Sequence, residues 1–108
     1  MSNYLHVFPS SNTKIKSYLD EASVLDRSGR APTQQEFDEA VSQVKPYDYK
    51  LDDDGSMELR KGPAEDIYTI LDSISNKCGA QAVFNDDMKL FVFVPGTTFE
   101  AFKKSDLG

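Results

Sequence analysis

Tryptophan is absent from this chain, and cysteine occurs only once, at Cys78. A single cysteine excludes an internal disulfide framework and is typical of proteins from a reducing compartment. One cysteine and one histidine, His6, are also too few for a Cys/His zinc site with four ligands. At 108 residues the chain is long enough to bury a core without such aids. We expect a protein that folds without disulfides, metal or another cofactor.

Long apolar runs are missing too. The longest, Leu90 to Val94, has five residues, whereas a membrane-spanning helix needs about 20. The first residues, Met1-Ser2-Asn3-Tyr4, lack the basic and apolar regions of a signal peptide. Glycine and proline are scattered singly, so no linker divides the chain. The sequence therefore predicts one domain over residues 1–108, located in the cytoplasm and not bound to a membrane.

Positive charge is scarce. The chain has 12 Lys and Arg residues and 18 Asp and Glu residues, which gives a net charge of −6. A protein that binds nucleic acid by neutralising phosphates needs the opposite balance. The aromatic residues of the strand patterns, Tyr4, Phe8, Phe91 and Phe93, resemble a base-stacking platform, but residues 89–93 lack the glycine and basic pattern of that motif. We expect no nucleic-acid partner.

The first half of the chain begins with a short strand pattern, residues 4–8, which Pro9 ends. Apolar residues at helical spacing then predict a helix over about residues 12–26, with Leu25 on its buried stripe. A second helix begins at a capping box formed by Thr33 and Glu36 and ends before Pro46.

Two alternating stretches, residues 47–51 and 57–60, predict a first hairpin. A five-residue loop over residues 52–56 places Leu51 opposite Met57 and Lys50 opposite Glu58. Apolar pairs then share one face and opposite charges pair on the other, which is how cross-strand neighbours stabilise a sheet. A two-residue turn would instead place Leu51 opposite Glu58. The longer loop is the prediction.

The second half begins with a third helix near Pro63, which ends at Gly79. Residues 80–84 and 89–94 predict a second hairpin, in which a two-residue turn at Asp86-Asp87 places Val83 beside Leu90. Thr97 and Glu100 have the spacing of another capping box and predict a short last helix.

The order of elements is β-α-α-β-β-α-β-β-α. It predicts an α+β fold with a four- or five-stranded, mostly antiparallel sheet and helices mainly on one face. The order resembles the ferredoxin-like split βαβ arrangement with an extra helix and strand, a likeness of topology only. The predicted core consists of apolar residues from every element: Leu5, Val7, Ile15, Leu19, Phe37, Val41, Leu51, Leu59, Ile67, Ile70, Leu71, Ile74, Val83, Leu90 and Val92.

The strand over residues 90–94 is apolar on both faces, which is unusual for a strand at the edge of a sheet. Three arrangements explain it: a central place in the sheet, a cover formed by the last helix through Phe99 and Phe102, or burial against a partner or a second copy. Under the third, Phe91 and Phe93 form a homodimer interface.

Acidic residues are concentrated between residues 36 and 58, which we call the acidic segment. It contains only two bases, and its net charge of −6 equals that of the whole chain. Acidic residues gathered on one surface attract basic partners. The candidate binding residues are its eight acids: Glu36, Asp38, Glu39, Asp48, Asp52, Asp53, Asp54 and Glu58.

Catalytic motifs are not found. The chain lacks a glycine-rich phosphate loop, a nucleophile elbow and a zinc-protease helix. Cys78 lies at a predicted helix C-terminus, where the helix dipole disfavours a thiolate, so we interpret it as structural. The triplet Asp52 to Asp54 before Gly55 fails the EF-hand spacing, because lysines occupy its first and last positions. We predict no catalytic residue and no metal ligand.

Two functions remain open. The first is a non-catalytic protein-binding or regulatory module with an acidic contact surface, including an inhibitor or antitoxin-like protein that acts on a basic target. The alternative is a small-molecule-binding protein or enzyme with a pocket between sheet and helices. Its polar groups would come from His6 and four tyrosines: Tyr18, Tyr47, Tyr49 and Tyr68.

Overall fold

A computed structural model describes residues 3–45, 47–105 and 107. In chain order its elements are β1 (Tyr4–Pro9), a 3-10 turn (Thr13–Ile15), α1 (Lys16–Glu21), α2 (Gln34–Ser42), β2 (Tyr49–Leu51), β3 (Met57–Arg60), α3 (Ala64–Cys78), β4 (Gln81–Phe84), β5 (Leu90–Phe93) and α4 (Phe99–Lys104). Pro46, expected to end the second helix, lies outside the described residues, and α2 ends earlier, at Ser42.

The strands form one open sheet in the order β2-β3-β1-β4-β5, in which all neighbours are antiparallel. The predicted α+β class with a five-stranded antiparallel sheet is therefore confirmed. β1 lies at the centre of the sheet, since its two edges pair with β3 and β4. Its alternation places Leu5 and Val7, both fully buried, on one face. Within the described residues no helix is long and apolar enough to cross a membrane.

The larger core lies between one face of the sheet and α2, α3 and α4. α3 supplies a stripe at helical spacing, Ile67, Ile70, Leu71 and Ile74, that is at most 1% exposed. We call this cluster the main core. Its buried members are Leu5, Val7, Phe37, Ala40, Val41, Met57, Leu59, Ile67, Ile70, Leu71, Ile74, Cys78, Val83, Phe93, Phe102 and Leu107.

A smaller core lies on the opposite face of the sheet, beneath α1. Ile15 and Leu19 pack there against Ala82 and Phe84 of β4, and partly buried side chains complete the cluster: Phe8, Val24, Leu90 and Val92. Three residues predicted for the core are only partly buried, namely Leu51, Leu90 and Val92. All three belong to β2 or β5, the edge strands, where one side lacks a neighbouring strand.

The first helix is shorter than predicted. α1 ends at Glu21, and Ser23 adopts a positive φ of 57°, which turns the chain out of the helix. The amide of Val24 then donates to the carbonyl of Leu19 at 2.9 Å and closes this end. Leu25, expected on the buried stripe, is 93% exposed as a result.

The first hairpin has the predicted register, with Lys50 opposite Glu58 and Leu51 opposite Met57. The second does not. Val83 lies opposite Phe91 and not beside Leu90, because the loop between β4 and β5 is one residue longer than expected. Met88 takes a φ of 60°, the left-handed residue that completes a three-residue turn. The Asn85 side-chain oxygen accepts from the amides at residues 87 and 89.

One of the two predicted capping boxes is present in the structure. The capping box of Thr33 and Glu36 is present in both directions. The last helix is capped by Thr98, whose hydroxyl accepts from the Ala101 amide, and not by Thr97. The Thr97 hydroxyl instead donates to the Val94 carbonyl at 2.7 Å and accepts from the Val94 amide at 3.0 Å.

Of the three arrangements considered for the strand over residues 90–94, the cover by the last helix is the one observed. β5 is an edge strand, not a central one. Its Phe93 ring is fully buried and packs against Phe102 of α4 with ring centroids 5.8 Å apart, while Phe91 packs against the same ring at 5.7 Å. Phe93 is therefore covered by α4 within the chain.

Candidate functional site

Glu36, the first acid of the acidic segment, is tied into the fold. Its two carboxylate oxygens accept from Arg30 at 2.9 Å each, and one of them also accepts from the Thr33 amide at 2.9 Å. The Arg30 guanidinium and the Thr33 amide lower the pKa of Glu36 to about 2. The carboxylate fixes the start of α2, so it has little capacity left for a partner.

The acids of the first hairpin are paired as well. Asp54 meets Lys14 at 2.7 Å and accepts from the Ser56 hydroxyl at 2.6 Å, contacts that hold its pKa below the usual range. Asp52 lies 3.2 Å from Lys50. These contacts rigidify the loop over residues 52–56 and connect it to the 3-10 turn.

Three further acids have basic neighbours. Asp48 meets Arg60 at 2.9 Å, and Glu39 meets Lys77 at 3.3 Å. Glu58 lies 3.9 Å from the Nδ1 atom of His6. Because Lys14, Arg30, Arg60 and Lys77 all come from outside the acidic segment, they reduce its net charge of −6 to −2 in the folded chain.

The two remaining acids, Asp38 and Asp53, form no ion pair with any residue that the structure describes. Asp38 is exposed on α2 and accepts from the Gln34 amide at 2.9 Å. The nearby Asp38 carboxylate, together with partial burial, raises the pKa of the Tyr49 hydroxyl. Both neutral groups leave the Asp38 charge uncompensated.

A cavity of about 340 Å³ lies beside Asp38, between α2 and β2. Val41 and Val44 form its apolar part, and the Tyr49 ring, 38% exposed, forms its wall on β2. That ring is held edge-on against Phe37 with the centroids 5.2 Å apart. We call this cavity the α2–β2 groove; it is lined by Asp38, Val41, Ser42, Val44 and Tyr49.

Tyr49, which lines this groove, belongs to a strand with one open side. β2 is an edge strand, with β3 on one side only. The Arg60 amide donates to the Asp48 carbonyl at 3.0 Å, and the Asp52 amide donates to the Ser56 carbonyl at 2.8 Å. Bonded pairs alternate along an antiparallel ladder, so Lys50 also directs its backbone groups toward β3, whereas Tyr49 and Leu51 direct theirs outward.

The structure brings only part of the predicted contact surface together. Asp38 borders the groove, while Asp53 lies in the hairpin loop and the other six acids are paired elsewhere. Val41, Ser42 and Val44 carry no charge and lie outside the predicted contact residues. Val41 belongs to the predicted core, and Val44 lies beyond α2 and is only partly buried.

The polar groups expected for a small-molecule pocket do not converge. Tyr18 packs on Phe84 in the smaller core. Tyr47 donates to Asp66 at 3.1 Å, and its partial burial and this carboxylate raise the pKa of Tyr47 to about 12. Tyr68 donates to the Thr97 carbonyl at 2.7 Å. The hydroxyls of Tyr47 and Tyr68 therefore have structural partners, and the three tyrosines lie in different parts of the fold.

A second cavity, of about 210 Å³, lies at the end of β1 and is more polar. The basic side chains of Lys16 and Arg27 border it, and both bind Asp20, at 3.0 and 2.7 Å. The other lining residues are Ser10, Ser11, Asn12 and Thr13. It contains none of the residues that the sequence analysis singled out.

Neither a metal cluster nor an exposed thiol is found among the described residues. They contain no group of three or more His, Cys, Asp or Glu side chains that could hold a metal ion. Cys78 is 4% exposed in the main core, and burial raises the pKa of its thiol, so the reactive thiolate is disfavoured.

Comparisons with protein-family models, with curated proteins and with solved structures find no match to this chain.

Proposed function

We propose that this chain is a non-catalytic protein-binding module whose contact site is the α2–β2 groove. The observation that carries the proposal is the position of Asp38, an acid without an ion-pair partner in the described residues, on the rim of a cavity of about 340 Å³ with an apolar floor. Apolar pockets with one polar group that fixes orientation are the usual form of binding sites.

The occupant that fits is a segment of a partner protein with an apolar side chain and a nearby lysine or arginine. The apolar side chain would displace water from Val41 and Val44, and the basic one would meet Asp38. The groove also lies at the C-terminal half of α2, where the helix dipole favours positive charge. Charge complementarity therefore supports a basic partner, as the sequence indicated. The basic side chain would meet one carboxylate, that of Asp38, and not all eight acids of the acidic segment.

Selection of random dodecapeptides displayed on phage tests this proposal, with the chain immobilised as bait. We expect enrichment of peptides that combine an aliphatic residue with lysine or arginine. Ser42→Trp fills the groove and should abolish their binding, whereas Gln35→Trp, an exposed position on α2 outside the groove, should not. Peptides that bind Ser42→Trp as well as the wild type would contradict the proposal.

A charge-matched pair of variants refines the test. Asp38→Asn keeps the shape of the side chain and should weaken the selected peptides about fivefold, the effect of losing one exposed ion pair of roughly 1 kcal/mol. Asp53→Asn removes the same charge from the hairpin loop and should leave binding unchanged. Equal effects of the two variants would indicate attraction by net charge alone.

An inhibitor or antitoxin-like role against a basic target is the narrower form of this proposal. Mimicry of nucleic acid by a dense acidic surface has less support, because six of the eight acids already have basic neighbours. An inhibitor that binds one segment of its target agrees better with a single groove.

We also propose that the module is cytoplasmic, on the basis of its single reduced cysteine, and that its topology is a ferredoxin-like variant with helices mainly on one face. The support for the topology is the order of the first four strands, β2-β3-β1-β4, with β5 added beyond β4. Self-association is a separate proposal, for the outer side of β5, where the backbone of an apolar strand has no neighbour strand in the described sheet.

A small-molecule site is the second candidate function, and the cavity beside Lys16 and Arg27 favours it. Two basic side chains and several hydroxyl groups suit a small anion such as phosphate. Inorganic phosphate should then raise the melting temperature of the wild type, and Arg27→Gln should remove the increase. A melting temperature independent of phosphate up to millimolar concentrations would exclude this candidate.

A further inference from the structure

The edge of β2 has a feature that the groove alone does not explain. Tyr49 forms the wall of the α2–β2 groove with its side chain and part of the open sheet edge with its backbone. The outward amides and carbonyls of Tyr49 and Leu51 have no hydrogen-bond partner within the part of the chain that the structure describes. Backbone donors and acceptors and an apolar cavity are therefore presented to the same ligand.

Two such residues in register make a short template for one more strand. An extended segment placed there would exchange hydrogen bonds with Tyr49 and Leu51 and continue the sheet outward from β2. Its alternate side chains would point toward α2, the side on which the Tyr49 ring packs edge-on against Phe37. Those side chains enter the groove, while the intervening ones point away from it.

We infer that the partner segment binds in extended form, as a sixth strand on the outer edge of β2, with an aliphatic side chain in the α2–β2 groove and a lysine or arginine two residues away against Asp38. This inference rests on the proposed function and adds the conformation and the residue spacing of the ligand. Strand addition of this kind obtains affinity from main-chain hydrogen bonds and specificity from pockets for alternate side chains.

The spacing follows from the geometry of the two elements. Asp38 and Ser42 are four residues apart on α2, which corresponds to about 6 Å along a helix axis. Alternate residues of a strand are about 6.6 Å apart. For a segment that runs along α2, an aliphatic side chain near Ser42 and a basic one at Asp38 are therefore two residues apart in extended form, and three or four apart in helical form.

The same peptide selection distinguishes these forms. We expect the enriched dodecapeptides to place the aliphatic and the basic residue two positions apart, with no proline at those positions. In the complex of the wild-type chain with the most enriched peptide, amide hydrogen exchange at Tyr49 and Leu51 should slow at least about tenfold. Exchange at Lys50, whose amide already faces β3, should change little and serves as the internal control.

A backbone variant gives a second readout. Leu51→Pro removes an outward amide and leaves the Lys50 pairing with β3 in place, so it should weaken the peptide about tenfold, as should N-methylation of the peptide amide that faces Tyr49. The methylated peptide keeps the test decisive if Leu51→Pro perturbs the fold. Helical spacing of the anchors, or unchanged exchange at Tyr49 and Leu51 in the complex, would overturn the inference.

Failure of this inference differs from failure of the proposed function. If Ser42→Trp abolishes binding but the Tyr49 and Leu51 amides exchange as in the free chain, the groove binds a partner without strand addition. If every enriched peptide survives Ser42→Trp, both proposals are wrong. If those amides slow in the chain alone as its concentration rises, with a dimer in sedimentation, the occupant is a second copy and the partner segment is rejected.

Discussion

The two edge strands of the sheet, β2 and β5, are protected by different means. β5 is packed on both faces, with Phe91 and Phe93 in the main core beneath α4 and with Leu90 and Val92 in the smaller core. β2 is packed on one face only, against α2, and its other face is polar. An edge strand that is apolar on both faces needs cover from two elements, whereas one that alternates needs a single helix and leaves room for a ligand.

The largest expected effect lies at β5. Phe93→Ala removes a fully buried ring that packs against Tyr68, Phe91 and Phe102. It should lower the free energy of unfolding by about 3–5 kcal/mol, measured by urea denaturation. Phe99→Ala, which removes a partly exposed ring from the same aromatic cluster, should cost much less. Similar losses for the two variants would mean that α4 does not secure β5 through Phe93.

A smaller effect is expected at β2. Tyr49→Ala removes a ring that is 38% exposed and contacts Phe37, so it should lower the free energy of unfolding by about 1–2 kcal/mol. It should nevertheless abolish peptide binding, since the ring forms the groove wall. Tyr49→Phe keeps the wall and should retain both stability and binding. If Tyr49→Ala lowered the free energy of unfolding as much as Phe93→Ala, the distinction between the two edge strands would disappear.

The smallest expected effect is the acid sensitivity of α2, the helix that packs over β2. The pKa of Glu36 is lowered from 4.5 to about 2 in the folded chain by Arg30 and Thr33. Because the unfolded chain takes up this proton more readily, the stabilisation is present above pH 4.5 and is lost as the pH falls toward 2. Amide exchange in α2 should therefore accelerate over this interval.

The control for acid sensitivity is Glu36→Gln, in which that part of the pH dependence should disappear. The last helix, α4, begins at the neutral hydroxyl of Thr98, so its cap has no corresponding carboxylate. Acid acceleration that is equal in α2 of the wild type and of Glu36→Gln would show that Glu36 does not secure the helix over β2.

The two hairpins show what sequence pairing can and cannot predict. In the first, apolar residues alternate with charged ones, so only one register places Lys50 opposite Glu58 and Leu51 opposite Met57. In the second, both faces are apolar, and a shift of one residue still pairs apolar with apolar. The correct register depends on the left-handed conformation of Met88, which composition does not indicate because methionine rarely adopts it.

The candidate site was predictable only in outline. The acidic segment indicated a charged surface, but Lys14 pairs with Asp54 and Lys77 with Glu39 across about 40 residues of sequence. Such partners depend on the folded arrangement of distant elements and cannot be read from charge windows. Asp38 differs from its neighbours because no base packs against it in the described fold, a property of tertiary structure alone.

The central position of β1 has a consequence for folding during synthesis on the ribosome. Val7 pairs with Met57 on one side and with Val83 on the other, so the strand made early becomes the middle of the sheet. The sheet cannot close during synthesis until the chain has emerged through β4, and folding dominated by such distant pairings is slow. Until then Val7 lacks its second strand neighbour, Val83.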